Sequence, residues 1–180
     1  TPLTSLTAAQ AKELSRPITL PEVIAAISKL KLQKVPVPDG YPALFYKPFC
    51  AELAPVLIQL FNEIRQTGKM TPSMQMASIS VLPEPGKDPH FCASYCPISL
   101  LNVDAKLLFG ILASRLGSYM PLLVEPDQSG FVPGRSCADN TKRVLHLIDK
   151  KGWKSPDAAL LVVDAEKAFD RVHWPFLKLT

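Results

Sequence analysis

The sequence predicts a mixed α/β (α+β) chain, and three observations carry that expectation. Segments of helical spacing alternate with strand-like runs over 180 residues, and no segment repeats. Two apolar runs, Ala77 to Leu82 and Tyr95 to Leu100, flank the turn-dense stretch Pro83-Glu-Pro-Gly-Lys-Asp-Pro89, the arrangement of a β-hairpin with a mobile tip. Further on, Leu160 to Val163 are four apolar residues, two of them β-branched, running into Asp164, which suits a strand buried on both faces.

The helices follow in chain order. Thr19-Leu-Pro-Glu22 has the form of a capping box with proline in the first turn, and Val23, Ile24, Ile27 and Leu30 continue at helical spacing. A helix of about three turns is expected there, ending before Pro36. Val35-Pro-Val-Pro-Asp-Gly40 is loop or turn, because alternating prolines block helix and central strand alike. Leu57, Leu60, Phe61 and Ile64 mark one face of a second helix over Leu53 to Ile64, with Gly68 as its stop. Leu107, Leu108, Ile111, Leu112, Leu116 and Tyr119 line a third, which opens near Asn102 and ends before Pro121. A turn-rich loop leads to Arg135, and a further helix runs from Ala138 to Lys150 with Lys142 and Arg143 on its exposed face.

Composition bounds the function. An apolar content of 47% excludes wholesale disorder, and no apolar run approaches the ~20 residues of a membrane span. A net charge of +4 is compatible with a polyanionic partner without requiring one. The first twenty residues lack the basic and apolar regions of a signal peptide, so an intracellular location, nucleus or cytoplasm, is expected. Cys50, Cys92, Cys96 and Cys137 lack Cys-x-x-Cys pairing, which argues for reduced thiols over a disulfide framework; the cluster of His90, Cys92 and Cys96 is read the same way rather than as a metal site.

Asp164 is the candidate for chemistry. A carboxylate at a rigid strand end can hold Mg²⁺, a hard cation that takes oxygen ligands and keeps positions for substrate phosphates. Two such metals, roughly 3.5–4 Å apart, clamp the attacking and leaving oxygens in nucleotidyl transfer. On spacing alone, however, an N-cap for the helix that follows is the better reading of Asp164.

A resemblance decides between these. Asp164-Ala-Glu-Lys-Ala-Phe169-Asp170-Arg-Val resembles the first catalytic motif of reverse transcriptases from LINE-type non-LTR retrotransposons. The likeness extends upstream, in the same order, through Pro38-Asp-Gly-Tyr-Pro42, Pro85-Gly-Lys-Asp-Pro89, Ser94-Tyr-Cys-Pro-Ile-Ser-Leu-Leu-Asn102 and Asp127-Gln-Ser-Gly-Phe-Val-Pro-Gly-Arg135, and so covers Leu20 to Trp174. It implies an incomplete right-hand polymerase fold: an N-terminal flank at 1–18, a fingers region at 19–157 and the start of the palm at 158–180, with the remaining palm and thumb absent. By that resemblance Asp164 ligates catalytic Mg²⁺, the backbone at Ala165 meets the triphosphate, and Phe169 lies under the incoming sugar, where its ring excludes a 2′-hydroxyl; a plain core aromatic is the alternative for Phe169. Lys87 faces the triphosphate, whose developing charge needs a cation. Apart from the resemblance, the loop with Gln128, Gly130 and Arg135 and the basic residues Lys142, Arg143, Lys150, Lys151 and Lys154 are candidates to meet a phosphate backbone, with a plain solvated helix face as the alternative. The implied partners are an RNA template, a DNA primer and a dNTP, with no membrane; the oligomeric state stays open.

The chain departs from the family pattern where charge matters. Leu82-Pro83-Glu84 stands where Ile-Pro-Lys is expected, Tyr95-Cys96-Pro97 where Tyr-Arg-Pro is expected, and Val35-Pro-Val37-Pro where Ser-Pro-Gly-Pro is usual. Glu84 and Cys96 are thus degenerate clamp positions. Cysteine has neither the charge nor the forked donors of arginine. At ~1.5–3 kcal/mol for each charge-assisted contact, the two changes weaken nucleotide use by roughly 10²- to 10⁴-fold. No Tyr/Phe-Ala-Asp-Asp motif occurs to complete the metal site. The expectation is a partial RNA-directed DNA polymerase domain, inactive by itself. The alternatives are a residual RNA/DNA-binding module and a non-functional remnant with exposed apolar faces.

Overall fold

The computed structural model describes residues 5–32, 39–149, 159–165, 168 and 171–179. The chain divides into two compact units, Thr1–Arg135 and Ser136–Thr180. The expected Val35-Pro-Val-Pro loop lies outside the described residues, apart from the Asp39-Gly40 turn that closes it.

In the first unit, α1 (Ala8–Leu14) opens on a capping box in which Thr7 N–H donates to Gln10 Oε1 at 2.8 Å and Gln10 N–H to Thr7 Oγ1 at 3.3 Å. The start of α2 (Leu20–Ser28) is where the sequence puts it. The Glu22 carboxylate accepts from Thr19 N–H at 2.9 Å and from its hydroxyl at 2.7 Å, and Pro21 sits in the first turn, where a missing N–H has no intrahelical role. A short α3 (Ala43–Tyr46) leads into α4 (Cys50–Thr67), which begins earlier than its apolar face suggests. Gly68 ends it at φ +68°, a conformation a Cβ would disfavour, and its N–H closes the helix on Ile64 O at 2.8 Å.

Three helices build the core, because each offers one apolar stripe and the stripes meet. Val23 and Ile27 of α2 pack with Phe61 of α4 and with Leu107 and Ile111 of α5 (Val103–Gly117), over Met74 from a single 3₁₀ turn at Ser73–Gln75. At ~1.5–3 kcal/mol for each large side chain fully buried, this cluster is the main favourable term of the unit. The expected α5 stripe is corrected at its far end: Leu107, Leu108 and Ile111 are buried, whereas Leu112 and Leu116 are exposed. Successive steps of four residues drift about 40° round a helix of 3.6 residues per turn, so the stripe leaves the core as α5 proceeds.

Two asparagines tie the helices to their loops. Asn62 on α4 brackets Ile18, accepting from its N–H at 2.8 Å and donating to its carbonyl at 2.9 Å. Asn102, only 2% exposed, accepts from Asp39 N–H at 3.2 Å and donates to Ser73 O at 3.0 Å just before α5 begins. Such side chains replace backbone partners that a buried loop otherwise lacks.

The hairpin is present as expected. β1 (Ala77–Pro83) and β2 (Tyr95–Leu101) pair antiparallel from Ala77↔Leu101 to Pro83↔Tyr95, and Glu84 N–H extends the ladder to Ser94 O at 2.8 Å. Among the described residues it forms the whole sheet. A final short helix, α6 (Met120–Leu123), precedes the loop to Arg135.

The second unit holds α7 (Cys137–Asp149) and α8 (Trp174–Leu179). Lys150, the expected end of α7, and Lys151 and Lys154 lie outside the described residues. Leu160 to Val163 do not form the strand expected of them: the segment is irregular, and Leu161 is 84% exposed. A strand buried on both faces requires neighbours to pair with, and the described residues offer it none. Among the described residues, no helix is long and apolar enough to cross a membrane.

Candidate nucleotide and nucleic-acid site

The hairpin brings together three of the residues singled out in the sequence. Cys96 faces Leu82 across the ladder, next to the point where the chain turns at Glu84. The Glu84 carboxylate then closes a small cluster: one oxygen pairs with Lys87 Nζ at 2.6 Å, and the other accepts from the Cys96 thiol at 3.1 Å. The two clamp departures therefore meet at one carboxylate, which takes the Cys96 thiol on one oxygen and Lys87 on the other. Lys87, which the resemblance assigns to a triphosphate, has its charge matched by a carboxylate three residues away. Gly86 makes this possible, since its φ of +80° folds the chain back between the two charged residues.

The rest of the hairpin tip carries bonds of its own. Tyr95 donates its hydroxyl to Pro89 O at 3.0 Å, Asp88 Oδ1 accepts from His90 N–H at 2.9 Å, and Lys87 N–H reaches Glu84 O at 3.3 Å. A tip of turn formers is thus given a definite shape by local side-chain and backbone hydrogen bonds.

A second constellation is the loop from Glu125 to Arg135. The Arg135 guanidinium donates to four carbonyls, those of Glu125 at 2.6 Å, Gln128 at 2.7 Å, Val124 at 3.0 Å and Pro121 at 3.3 Å. Gln128 in turn donates to Gly130 O at 3.2 Å, while Ser129 and Val132 are buried. Arg135, Gln128 and Gly130, all candidates for nucleic-acid contact from the sequence, are here the frame of the loop.

What the frame displays is a residue the sequence reading passed over. Phe131 is 95% exposed, at φ +60°. An aromatic side chain in that left-handed conformation is strained by about 1 kcal/mol or more and persists only where its surroundings impose it. The available signal was a lone aromatic between Gly130 and Gly134 in a loop of turn formers, a position more often functional than packed.

The remaining assigned residues lie in the second unit. Lys142 and Arg143 are exposed on α7. Asp164 and Ala165 are exposed at the end of the irregular segment, while Phe169 and Asp170 lie outside the described residues. Among the described residues, no three of His, Cys, Asp and Glu come close enough to hold a metal ion. Asp164 is a single carboxylate there, and the described residues do not make up a Mg²⁺ site.

The strongest electrostatic interaction sits elsewhere, inside the fold. Arg115, with a side chain 8% exposed, meets Glu22 through two bonds of 2.7 and 2.8 Å and also donates to the carbonyls of Leu14, Arg16 and Pro17. The Arg115 bonds hold the Glu22 carboxyl at about 2, against an ordinary 4.5, despite burial acting the other way. This pair locks α5 onto the start of α2 and is separate from the Glu84, Lys87 and Cys96 cluster.

The family model for reverse transcriptase (RNA-dependent DNA polymerase) matches residues 82–178, more than half of the chain. The chain is 34% identical over 92% of its length to the transposon TX1 uncharacterized 149 kDa protein of Xenopus laevis, of which it covers 13%. It is 31% identical over 87% of its length to a probable RNA-directed DNA polymerase from transposon BS of Drosophila melanogaster, and 29% identical over 89% to the RNA-directed DNA polymerase from mobile element jockey of Drosophila funebris; it covers 18% of each. The chain belongs to the reverse transcriptase family and is a partial domain of the non-LTR retrotransposon type. It spans less than a fifth of the length of these relatives.

Proposed function

We propose that the chain is the fingers and opening palm segment of a LINE-type reverse transcriptase, and that by itself it does not polymerise. In the complete domain Asp164 would ligate Mg²⁺, Ala165 and Phe169 would seat the incoming dNTP, and Lys87 would meet its triphosphate, with RNA template and DNA primer as partners. The observation that carries the reading of inactivity is the Glu84 carboxylate held 2.6 Å from Lys87 and 3.1 Å from Cys96, which puts negative charge where the reaction needs positive. Primer extension on an RNA template with Mg²⁺ tests it: the purified chain should extend no more primer than its Asp164→Ala variant, and extension above that control rejects the reading.

A second reading is favoured by a separate observation, the Arg135-braced loop with Phe131 exposed at its crest. An aromatic face on a rigid loop is a stacking platform for an unpaired base, worth ~1–3 kcal/mol, and basic residues such as Lys142 and Arg143 would add a salt-dependent attraction to phosphates. Binding of labelled single-stranded RNA, measured at two salt concentrations, should weaken at the higher one. Phe131→Gly should reduce RNA affinity about tenfold or more while raising thermal stability, because glycine relieves the strained backbone. Unchanged affinity in that variant removes Phe131 from the interface.

A further inference from the structure

A cavity of about 440 Å³ opens between α2 and α5 and uses none of the residues assigned above to nucleotide or nucleic acid. That volume is in the range of small-molecule sites, roughly 300–1,000 Å³. Its floor is apolar and low: Ala25 and Ala26 from one helix, Gly110 and Ile111 from the other. A Cβ added at Gly110 meets nothing within 4 Å, so the floor is open there rather than filled by a neighbour.

The charges are distributed unevenly along the groove. Glu22 at the start of α2 binds Arg115 at the end of α5, and Arg16 also reaches Glu22 at 3.2 Å, so this end has its cations engaged by a carboxylate. The helices run in opposite directions along the groove, which gives its other end Lys29 and Lys106. Neither lysine has an ion-pair partner among the described residues. Lys29, the C-cap of α2, lies seven positions after Glu22, about 10 Å at 1.5 Å per residue.

We propose that this groove binds a small amphipathic anion, with a carboxylate or phosphate head at Lys29 and Lys106 and an unbranched apolar body lying over Ala25, Ala26, Gly110 and Ile111. A bare anion would leave the apolar floor wet, and a cationic amphiphile would set its head against two lysines. A nucleic acid strand has too little apolar surface to fill the groove. One head and one tail of about 10 Å satisfy both halves of the site.

The test is titration of the ¹⁵N-labelled full chain with octanoate, hexanoate and octylammonium, followed by amide shifts. Saturable shifts are expected at Ala25, Ala26, Lys29, Lys106, Gly110 and Ile111. Octanoate should bind on the order of tenfold tighter than hexanoate, the effect of two more buried methylenes. Octylammonium should not move these amides. The paired substitutions Lys29→Glu and Lys106→Glu, both on exposed residues, should weaken octanoate at least tenfold. Gly110→Leu should abolish binding by filling the groove, and as a better helix former leucine keeps α5 folded. Octylammonium binding as tightly as octanoate, shifts scattered over other exposed apolar residues such as Ile79 and Leu145, or octanoate affinity unaltered by Gly110→Leu would each overturn the proposal.

Discussion

Glu84 shows how one residue can alter the chemistry of a loop without altering its fold. Its backbone continues the hairpin, donating to Ser94 O at 2.8 Å, while its carboxylate engages Lys87 and the Cys96 thiol. Glu84→Gln removes the charge and keeps the shape, so it should strengthen binding of a deoxynucleoside triphosphate about tenfold or more by isothermal titration, and Glu84→Lys with Cys96→Arg should strengthen it further. No change in either variant would mean that Lys87 does not face the triphosphate. Glu22 makes the complementary point inside the fold. Its carboxyl is lowered to about 2 from 4.5, so its contribution is fully present above about 4.5 and is lost as pH falls toward 2. That contribution is on the order of 2 kcal/mol after allowance for solvent screening. Thermal melts across this window should show Glu22→Gln flattening the acid-side fall in stability. Asp104 runs the other way, since burial raises its carboxyl and makes ionisation costly as pH rises.

At the scale of elements, start and stop signals were legible because they are local. The Thr19–Glu22 cap, Gly68 and the turn-dense hairpin tip each satisfy backbone groups within a few residues, so their chemistry is written in consecutive letters. What joins elements was not. Asn102 reads in the sequence as a helix start, yet its side chain links residues 63 and 29 positions away in the chain, at Asp39 and Ser73. In this way it connects the Asp-Gly turn of one motif with the strand end of another. Asn102→Ala leaves Asp39 N–H and Ser73 O without this partner in a part-buried setting. It should destabilise the first unit by about 2 kcal/mol in urea denaturation, and a loss under 0.5 kcal/mol would show that water replaces it at little cost.

At the scale of the whole molecule, burial among the described residues is confined to part of the chain. Every buried hydrophobic residue described lies between Ile18 and Val132, and α7 has none, with Leu145, Leu147 and Ile148 exposed. Stability follows burial, so hydrogen exchange should protect the amides of Phe61, Leu107 and Ile111 while those of α7 exchange orders of magnitude faster. Equal protection in both would refute that division. The sequence by itself determined the family, from motifs in order, and with it the hairpin, the four longest helices α2, α4, α5 and α7, and the sites where charge departs from the pattern, because these depend on residue identity and local spacing. Only the tertiary structure decided that Glu84 holds Lys87, that Arg135 frames its loop and leaves Phe131 exposed, and that α2 and α5 part into a groove. It also decided that Leu160 to Val163, apolar enough for a buried strand, form none among the described residues. A strand is a property of pairs, and apolar letters alone cannot supply the partner.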